Sequence, residues 1–463
     1  MLSKNIDFHT LSATQQNTIR WSFLFLVSIL LSISFYVWES LSPIKETLQI
    51  QLGFSSTEYG LLISVYSVPN TILLMAILGG VLSDRLGIRK TGLIFTLFCT
   101  VGALLTVYGA SDIFRNGGFG YGFLNSFLTR FSPELKMMLT GRFMFGLGAE
   151  TLNIVVLKIL VKWFKGKKMA LAFAIMTIIA RMGTALVLIT SPILIEAKTG
   201  WTTSLWFAAL IMIAGLALFI TYMHFDRKYR HASDSSEEEE KFNIKDITVL
   251  LKNRAFLFIC LLCVTFYSAF FPFLSFLPDF LHNTFDLSLK LSGMLSSIVI
   301  WGTIIFIPFV GWFVDKKGKI TSLLVYGSVL LSITHLLLSL SRITPLFAMV
   351  LLGISFTLVP AALWPAVPRI VDEKRVGTAY GIMTWIQSLG LLLFPYLAGR
   401  ITDLTNRGIT AGMLESGSKN LNYTYTVLMF ACLGVSGLVF ALLLKREDRQ
   451  RFQNILELPE KTD

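Results

Sequence analysis

Long runs of apolar residues recur from one end of the chain to the other, with short polar segments between them. Each run is long enough to cross a bilayer as an α-helix, which takes about 20 mostly apolar residues. We count twelve such runs, and they predict an all-α membrane protein with twelve transmembrane helices. The predicted spans begin near Ser22, Tyr59, Gly92, Lys136, Met169, Ser204, Ala255, Leu291, Thr321, Leu346, Gly377 and Tyr425.

The longest polar segment lies between the sixth and seventh predicted spans and divides the chain into two halves of six spans each. It predicts an N-terminal bundle over residues 1–223, a linker over 224–253 and a C-terminal bundle over 254–463. The acidic run Glu237–Glu240 in this segment is most simply a solvated part of the linker.

Composition agrees with a membrane protein. The 463 residues are 54% hydrophobic and only 15% charged, whereas a soluble protein has about 25% charged residues. No small-residue cleavage site follows the first apolar run, which therefore predicts a retained helix and not a signal peptide. The four cysteines all lie inside apolar runs, and the pair Cys260 and Cys263 has no second pair of ligands, so no metal site or cofactor is expected.

The formal net charge of +12 is distributed unevenly among the loops. Alternate loops carry clusters of basic residues: Arg85, Arg89, Lys90, Lys165, Lys167, Lys168, Lys316, Lys317, Lys319, Arg369, Lys374, Arg375, Lys445, Arg446 and Arg449. The other loops have only scattered cations such as Lys45, Lys198 and Arg342. Because basic loops stay in the cytoplasm, both termini are predicted to be cytoplasmic, and nucleic-acid binding is not needed to explain the charge.

The two halves echo each other. The segment "GGVLSDRLGIRK" follows the second predicted span and "GWFVDKKGK" follows the eighth, and each has a glycine four residues before its aspartate and another three residues after it. Gly146 precedes Ala172 by 26 residues, and Gly353 precedes Ala379 by 26 residues as well. These echoes predict two six-helix repeats in parallel orientation.

These motifs resemble those of the major facilitator superfamily. "GVLSDRLGIRK" is close to the signature loop after that superfamily's second helix, and "RFMFGLG" resembles its fourth-helix motif. The resemblance covers nearly the whole chain and implies two bundles that rock about a central substrate site, which gives alternating access. It also implies gating contacts between the bundles; the purely structural interpretation of Asp84 and Arg89 is a local clamp, and for these two residues the interpretations coincide. The gating candidates are Asp84, Arg85, Arg89, Asp315 and Lys316.

Two opposite charges lie inside predicted spans. Glu150 is at the centre of the fourth span and Arg181 is in the middle of the fifth, although a charge in hydrocarbon costs roughly 2.5–3.5 kcal/mol. Each lies about 15 residues from the turn between the spans, and at 1.5 Å per residue both sit roughly 20 Å from it. Asn153 extends the polar face of Glu150 by one turn. The pattern predicts a pair of charges at one depth on neighbouring helices.

Such a pair has two interpretations. It can be a neutralising pair that only stabilises the fold, but a buried ion pair rarely gains stability over apolar residues. It can instead bind a substrate, because intramembrane charges in transporters commonly mark a substrate or proton path. Adjacent helix axes lie about 8–10 Å apart and a two-residue peptide spans up to about 7 Å. A dipeptide therefore fits the gap better than a free amino acid.

A narrower resemblance favours the peptide. "GRFMFGLGAETLN…VKWFKGKKMALAFAIMTIIARMG" is similar to the matching segment of the animal lysosomal dipeptide uniporters of this superfamily, as are "YSVPN", "FPF", "SSIV", "ALWP" and "GTAYGIMTWIQSLGL". The resemblance implies that Glu150 binds the peptide amine and Arg181 its carboxylate, with Trp364 stacking near the backbone or a side chain. A lipid-facing or packing role for Trp364 stays open. Further candidates in cavity-lining spans, each equally compatible with packing, are Tyr36, Tyr66, Asn70, Tyr267, Trp385 and Gln387.

Two features depart from that family. The N-terminus has no acidic dileucine sorting signal and the tails are short, so we expect a bacterial inner membrane and not a lysosome. Lys158 replaces an uncharged residue two turns from Glu150. We expect it to neutralise Glu150 when the site is empty, which argues against simple uniport.

Three functions stay open. The first is a facilitator of dipeptides, the second a proton-coupled carrier of another organic ion or a drug exporter, and the third a non-transporting membrane sensor or scaffold. No HExxH, GxSxG or phosphate-loop spacing occurs, so an enzyme is not expected. The expected partners are a small zwitterion and the lipid bilayer, without nucleic acid, and the chain is expected to be a monomer.

Overall fold

The computed structural model of the protein describes residues 6–164, 168–196, 200–230, 244–341 and 344–459. The acidic run Glu237–Glu240 and the loop cations Lys165, Lys167, Lys198 and Arg342 lie outside the described residues.

The described chain is almost entirely helical. Its first half contains α1 (Ala13–Glu39), α2 (Lys45–Leu52), α3 (Ser56–Ser64), α4 (Val68–Leu73), α5 (Met75–Leu86), α6 (Ile88–Ala110), α7 (Asp112–Arg115), α8 (Tyr121–Asn125), α9 (Pro133–Phe164), α10 (Met169–Ile195) and α11 (Thr203–Lys228). Its second half contains α12 (Ile244–Lys252), α13 (Arg254–Phe285), α14 (Leu289–Lys317), α15 (Ile320–Leu340), α16 (Pro345–Ile370), α17 (Val376–Thr405), α18 (Ala411–Glu415) and α19 (Thr424–Arg451). Two strands, β1 (Ile6–Asp7) and β2 (Tyr229–Arg230), form one short parallel pairing.

Local sequence signals set the ends of several helices. Ser12 accepts a hydrogen bond from the backbone of Gln15 while the Gln15 side chain accepts one from the backbone of Ser12, which closes a capping box at the start of α1. Ser55 and Glu58 form the same box at the start of α3. Gly53, with φ of +69°, ends α2 in the left-handed region that glycine adopts without strain.

The predicted spans are confirmed, with one difference. Among the described residues, eleven helical segments are long and apolar enough to cross a membrane, and a bent pair supplies a twelfth span. That pair is the second predicted span, whose two parts Ser56–Leu73 and Met75–Leu86 meet at an angle of 61°. The break falls at Leu74, whose φ of +54° cannot continue a right-handed helix. The bend was not predicted, because Leu74 and its immediate neighbours are apolar residues with no preference for a left-handed φ.

The described residues form two compact units. The first lies within residues 1–40, 72–187 and 202–239, and the second lies within 41–71, 188–201 and 240–463. The later part of span two therefore belongs to the first unit, whereas its earlier part belongs to the second. α11 continues to Lys228, so the start of the predicted linker is helical and its Asp226 is buried in the first unit.

Candidate substrate site and gates

The first candidate charge, Glu150, lies on α9. Its side chain is half-buried, as is Asn153 one turn further along the helix. The first carboxylate of the predicted pair is thus neither sealed in the core nor fully open to solvent.

The second candidate charge, Arg181, lies on α10 and is also half-buried. Its guanidinium carbon is 5.1 Å from the centre of the Phe35 ring on α1. This distance is within the range of a cation–π contact, and a planar guanidinium stacks well on an aromatic face. Phe35 was missed by sequence reasoning, since nothing marks it out among the other phenylalanines of the apolar runs.

Close helix packing holds α1 against α10. A Cβ atom added at Gly183, two residues after Arg181, would lie only 1.9 Å from the carbonyl oxygen of Ser32. Because no side chain fits there, the two backbones meet directly and bring Phe35 beneath Arg181.

The same helix α1 also contacts α9. The guanidinium of Arg142, which is 1% exposed, donates to the backbone oxygen of Val37 at 3.3 Å and to that of Trp38 at 3.0 Å. Arg142 therefore ties α9 to α1 in the first unit, and both candidate charges lie on helices that pack against α1. Tyr36, predicted as a substrate contact, is buried with its ring 5.8 Å from that of Phe207.

Lys158 has a different partner from the one expected. Its ammonium pairs with the carboxylate of Asp84 and donates to the backbone oxygen of Gly80 at 3.1 Å. The expectation that it neutralises Glu150 is therefore not met in this structure. Lys158 instead ties α9 to the end of α5, because its long side chain reaches the adjacent helix.

A second charge cluster surrounds Asp226 at the end of α11. This carboxylate is 1% exposed and accepts from Arg89 at 2.5 Å, from Lys162 at 3.1 Å and from the Tyr222 hydroxyl at 3.2 Å. Two of the predicted gating residues, Asp84 and Arg89, thus make ion pairs inside the first unit. Arg85 is exposed.

The corresponding loop of the second half is less tightly bound. Asp315 and Lys316 are exposed, and the Lys316 ammonium lies 5.0 Å from the Trp312 ring.

The start of α15 is held by Glu457, which accepts from the backbone nitrogen of Ser322 at 2.8 Å. Burial alone would raise the pKa of Glu457, but hydrogen bonds from Thr321 and Ser322 hold that pKa below its ordinary value of 4.5.

An aromatic group lies in the second unit. The indole nitrogen of Trp364 donates to the Tyr267 hydroxyl at 2.9 Å, and the Tyr380 hydroxyl donates to the Trp364 backbone oxygen at 3.2 Å. The Tyr267 ring stacks on Phe271 at 5.7 Å. Two candidates from the sequence, Trp364 and Tyr267, are thus brought together and held in a fixed orientation, and the half-buried Trp364 ring keeps part of its surface open.

The remaining candidates also lie in the second unit, and three of them have hydrogen-bond partners there. The Asn70 amide donates to the Ser388 hydroxyl at 2.6 Å, and the Trp385 indole donates to the Thr71 backbone oxygen at 3.0 Å. Gln387 accepts a weak hydrogen bond from the Cys263 thiol at 3.9 Å. Tyr66 is buried in a single 3-10 turn, Val65–Ser67, of the second span.

The fold and these sites define a membrane transporter, and comparison with known proteins identifies the family. The family model described as Major Facilitator Superfamily matches residues 24–395 and 293–459, and the chain belongs to this superfamily. The crystal structure of the nucleoside transporter NupG superposes with a TM-score of 0.65 at 15% identity, covering 91% of this chain and 98% of that one.

Among sequence relatives, the chain is similar to "Lysosomal dipeptide transporter MFSD1" of Mus musculus. The two are 30% identical over 387 residues, which is 80% of this chain and 77% of the mouse protein. A more distant relative is the "Hexuronate transporter" of Bacillus subtilis (strain 168), which is 25% identical over 417 residues, 85% of this chain and 90% of that protein.

Proposed function

We propose that the protein carries dipeptides across a membrane, with Glu150 binding the peptide ammonium and Arg181 binding its carboxylate. The observation that supports this most is the setting of Arg181. Its half-buried guanidinium lies on the Phe35 ring at 5.1 Å, on a helix that packs directly on α1. This cation–π contact holds the guanidinium in place, and its planar fork can grip a carboxylate with two hydrogen bonds.

A dipeptide suits both charges at once. Its ammonium at one end can pair with Glu150 and its carboxylate at the other end can pair with Arg181. The two ends are up to about 7 Å apart. The similarity to a relative named as a dipeptide transporter supports this substrate class. Trp364, held by Tyr267 and Tyr380, is proposed to contact the peptide backbone or side chains.

The transport cycle is proposed to be alternating access by a monomer in a bacterial inner membrane. Lys158 is engaged by Asp84 and Gly80 rather than by Glu150. Simple uniport would be disfavoured if Lys158 neutralised Glu150, and these contacts of Lys158 do not support that neutralisation. We therefore propose uniport.

A second candidate substrate is a small organic anion. A relative named as a hexuronate transporter favours it, and Arg181 alone would bind a single carboxylate. In this case Glu150 would not contact the substrate.

Flux into liposomes separates these candidates. Purified protein reconstituted at equal internal and external pH should take up a radiolabelled dipeptide faster than protein-free liposomes do. Unlabelled dipeptide should suppress that uptake, while a hexuronate should not. Uptake of hexuronate without uptake of dipeptide would establish the organic-anion carrier, and dipeptide uptake that needs an imposed proton gradient would refute uniport.

A further inference from the structure

A buried ion pair lies in the second unit, well away in sequence from both candidate charges. The Lys45 ammonium on α2 is 2.8 Å from a carboxylate oxygen of Asp279 on α13, and the two side chains are 0% and 2% exposed. They come from positions 234 residues apart. Lys45 was read from the sequence only as one of the scattered cations of the less basic loops.

Other side chains complete this cluster. Lys45 also donates to Gln49 at 2.8 Å, and Asp279 also accepts from the Tyr423 hydroxyl and from the Asn283 amide at 3.3 Å. The Lys45 ammonium lies 5.5–5.9 Å from three aromatic rings, those of Tyr59, Phe276 and Tyr423. The neighbouring Glu46 and His282 form a more exposed pair at 3.4 Å, and the Asn283 amide links it to the cluster by donating to Glu46 at 3.1 Å.

A tight helix contact lies beside the pair. A Cβ added at Gly60 of α3 would lie 2.2 Å from the Pro395 backbone oxygen, and one at Gly399 would lie 2.0 Å from that of Ser56. Asp403 of α17 accepts from the backbone nitrogens of Ser56 and Thr57 at 2.9 and 2.8 Å, and so caps α3. The Tyr59 hydroxyl donates to the Ser275 backbone oxygen at 2.7 Å. Segments α2 and α3 thus close directly on α13 and α17.

The ion pair and the apolar contacts of this closure differ in how they can be broken. Apolar and backbone contacts between helices can slide or part gradually, but a fully buried ion pair cannot separate without water or new partners reaching both charges. Such a pair adds little net stability compared with apolar residues of the same size. It does, however, make separation of the two helices close to all-or-none.

The second span is built for such a change. Its part Ser56–Leu73 packs against α17 through Gly60, whereas the other part, Met75–Leu86, is tied to α9 through Asp84 and Lys158. The 61° bend between the parts lies at Leu74, with its left-handed φ of +54°. The first part can therefore change its contacts while the second stays in place.

We propose that Lys45 and Asp279 form an ionic lock that keeps the predicted outer end of the transporter closed and that opens once in each transport cycle. The proposal rests on the proposed transport function but not on the identity of the substrate. Lys45 and Asp279 are positioning residues here, because they act on the conformation and touch no substrate.

The test measures access to the closed end in the purified full-length protein. Ser275 is 7% exposed and lies at the contact between α3 and α13, where Tyr59 donates to its backbone oxygen. It is replaced by cysteine in a chain with Cys432→Ser, which removes the exposed thiol. The labelling rate by a charged maleimide is then compared with that of the same chain lacking the reporter. Lys45→Met and Asp279→Asn should each raise the labelling rate about tenfold, and the exchange Lys45→Asp with Asp279→Lys should return it to within about threefold of the parent.

A matched control is Lys136→Met. Lys136 is also buried, at 7% exposed, but its ammonium is bound by the backbone oxygens of Leu124 and Phe127 and has no part in the lock. It should leave labelling at the parent rate. Unchanged labelling in both lock variants would overturn the proposal, as would an equal rise in the control, because that rise would mean general loosening.

A milder variant covers the case in which the charge variants fail to fold. Tyr423→Phe removes one donor to Asp279 without leaving a charge unpaired, and it should raise labelling about threefold. A parent labelling rate in Tyr423→Phe would overturn the lock in that case. Because labelling needs no substrate, failure of dipeptide flux with an intact lock response would refute the proposed substrate and leave the lock standing.

Discussion

At the scale of single residues, the central feature is a pair of half-buried charges inside helices that otherwise consist mostly of apolar residues. Leaving a charge in such a position costs free energy that an apolar residue would not. Phe35 offsets part of that cost for Arg181 through its ring face. The proposed ligand, a dipeptide, carries the opposite charges at its two ends.

The first prediction concerns the carboxylate. Glu150→Gln keeps the shape of the side chain and removes the charge that would face an ammonium, so we expect dipeptide affinity to fall at least about tenfold, which corresponds to about 1.4 kcal/mol. Binding is measured by the dipeptide-dependent rise in melting temperature. The control is Glu134→Gln, the same change in the first turn of α9. Wild-type affinity in Glu150→Gln would show that this residue does not contact the substrate.

The second prediction concerns the guanidinium. Arg181→Lys keeps the charge but loses the planar fork and alters the cation–π contact with Phe35. We expect affinity for dipeptides to fall about tenfold, with little change in the melting temperature of the empty protein. Arg400→Lys, at an exposed position on α17, is the control. If Arg181→Lys retained its affinity for dipeptides, a point charge at this position would be sufficient. That result would favour a purely structural role for the pair.

At the scale of helices, Asp226 on α11 joins that helix to α6 through Arg89 and to α9 through Lys162, all within the first unit. Asp226→Asn would leave Lys162, 11% exposed, without its countercharge. We expect the free energy of unfolding to fall by about 3 kcal/mol, at the low end of the range for breaking a buried pair, because Arg89 keeps contact with solvent. Asp84→Asn is the comparison. Asp84 and Lys158 are each about one-third exposed, so we expect a loss of less than about 1 kcal/mol. Equal losses in thermal unfolding would contradict this assignment.

The contact between α1 and α10 yields the next prediction. Gly183→Ala places a methyl group where the Ser32 oxygen lies 1.9 Å away, so the two helices must separate. Overpacking of this kind costs about 1–3 kcal/mol, and it moves Phe35 away from Arg181. We expect both lower thermal stability and weaker dipeptide binding. Gly311→Ala, where nothing lies within 4 Å, should change neither. If Gly183→Ala lowered stability but kept full affinity for dipeptides, the contact between α1 and α10 would not be needed for binding.

Much of this helical architecture was predictable from the sequence. Apolar runs of span length depend on local composition alone, so they predict the spans well. The bend at Leu74 was not predictable, because its run contains no residue there that favours a left-handed φ. Asp226 looked like part of a solvated linker, since only tertiary contacts bury it at the end of α11.

The candidate site was predictable in part. Glu150 and Arg181 stand out because charges are rare in apolar spans. Phe35 does not stand out in a chain with 38 phenylalanines. The partners of Lys158 and Lys45 depend on which helices become neighbours, and no spacing within the chain encodes that directly.

At the scale of the whole molecule, the proposed substrate site and the proposed lock must act together. The chain belongs to the major facilitator superfamily, and the proposed lock at Lys45 and Asp279 supplies a discrete barrier to opening at one end. Transport by alternating access requires that substrate binding and such closures be coupled, because a site open at both ends would leak.

The most direct test of the central claim is competition for dipeptide uptake in liposomes by three forms of one dipeptide: free, N-acetylated and C-terminally amidated. The N-acetyl cap removes the ammonium that would pair with Glu150, and the amide removes the carboxylate that would pair with Arg181. We predict that each capped form competes at least about tenfold more weakly than the free form. Equal competition by all three forms would show that the peptide termini are not recognised, and it would contradict the account.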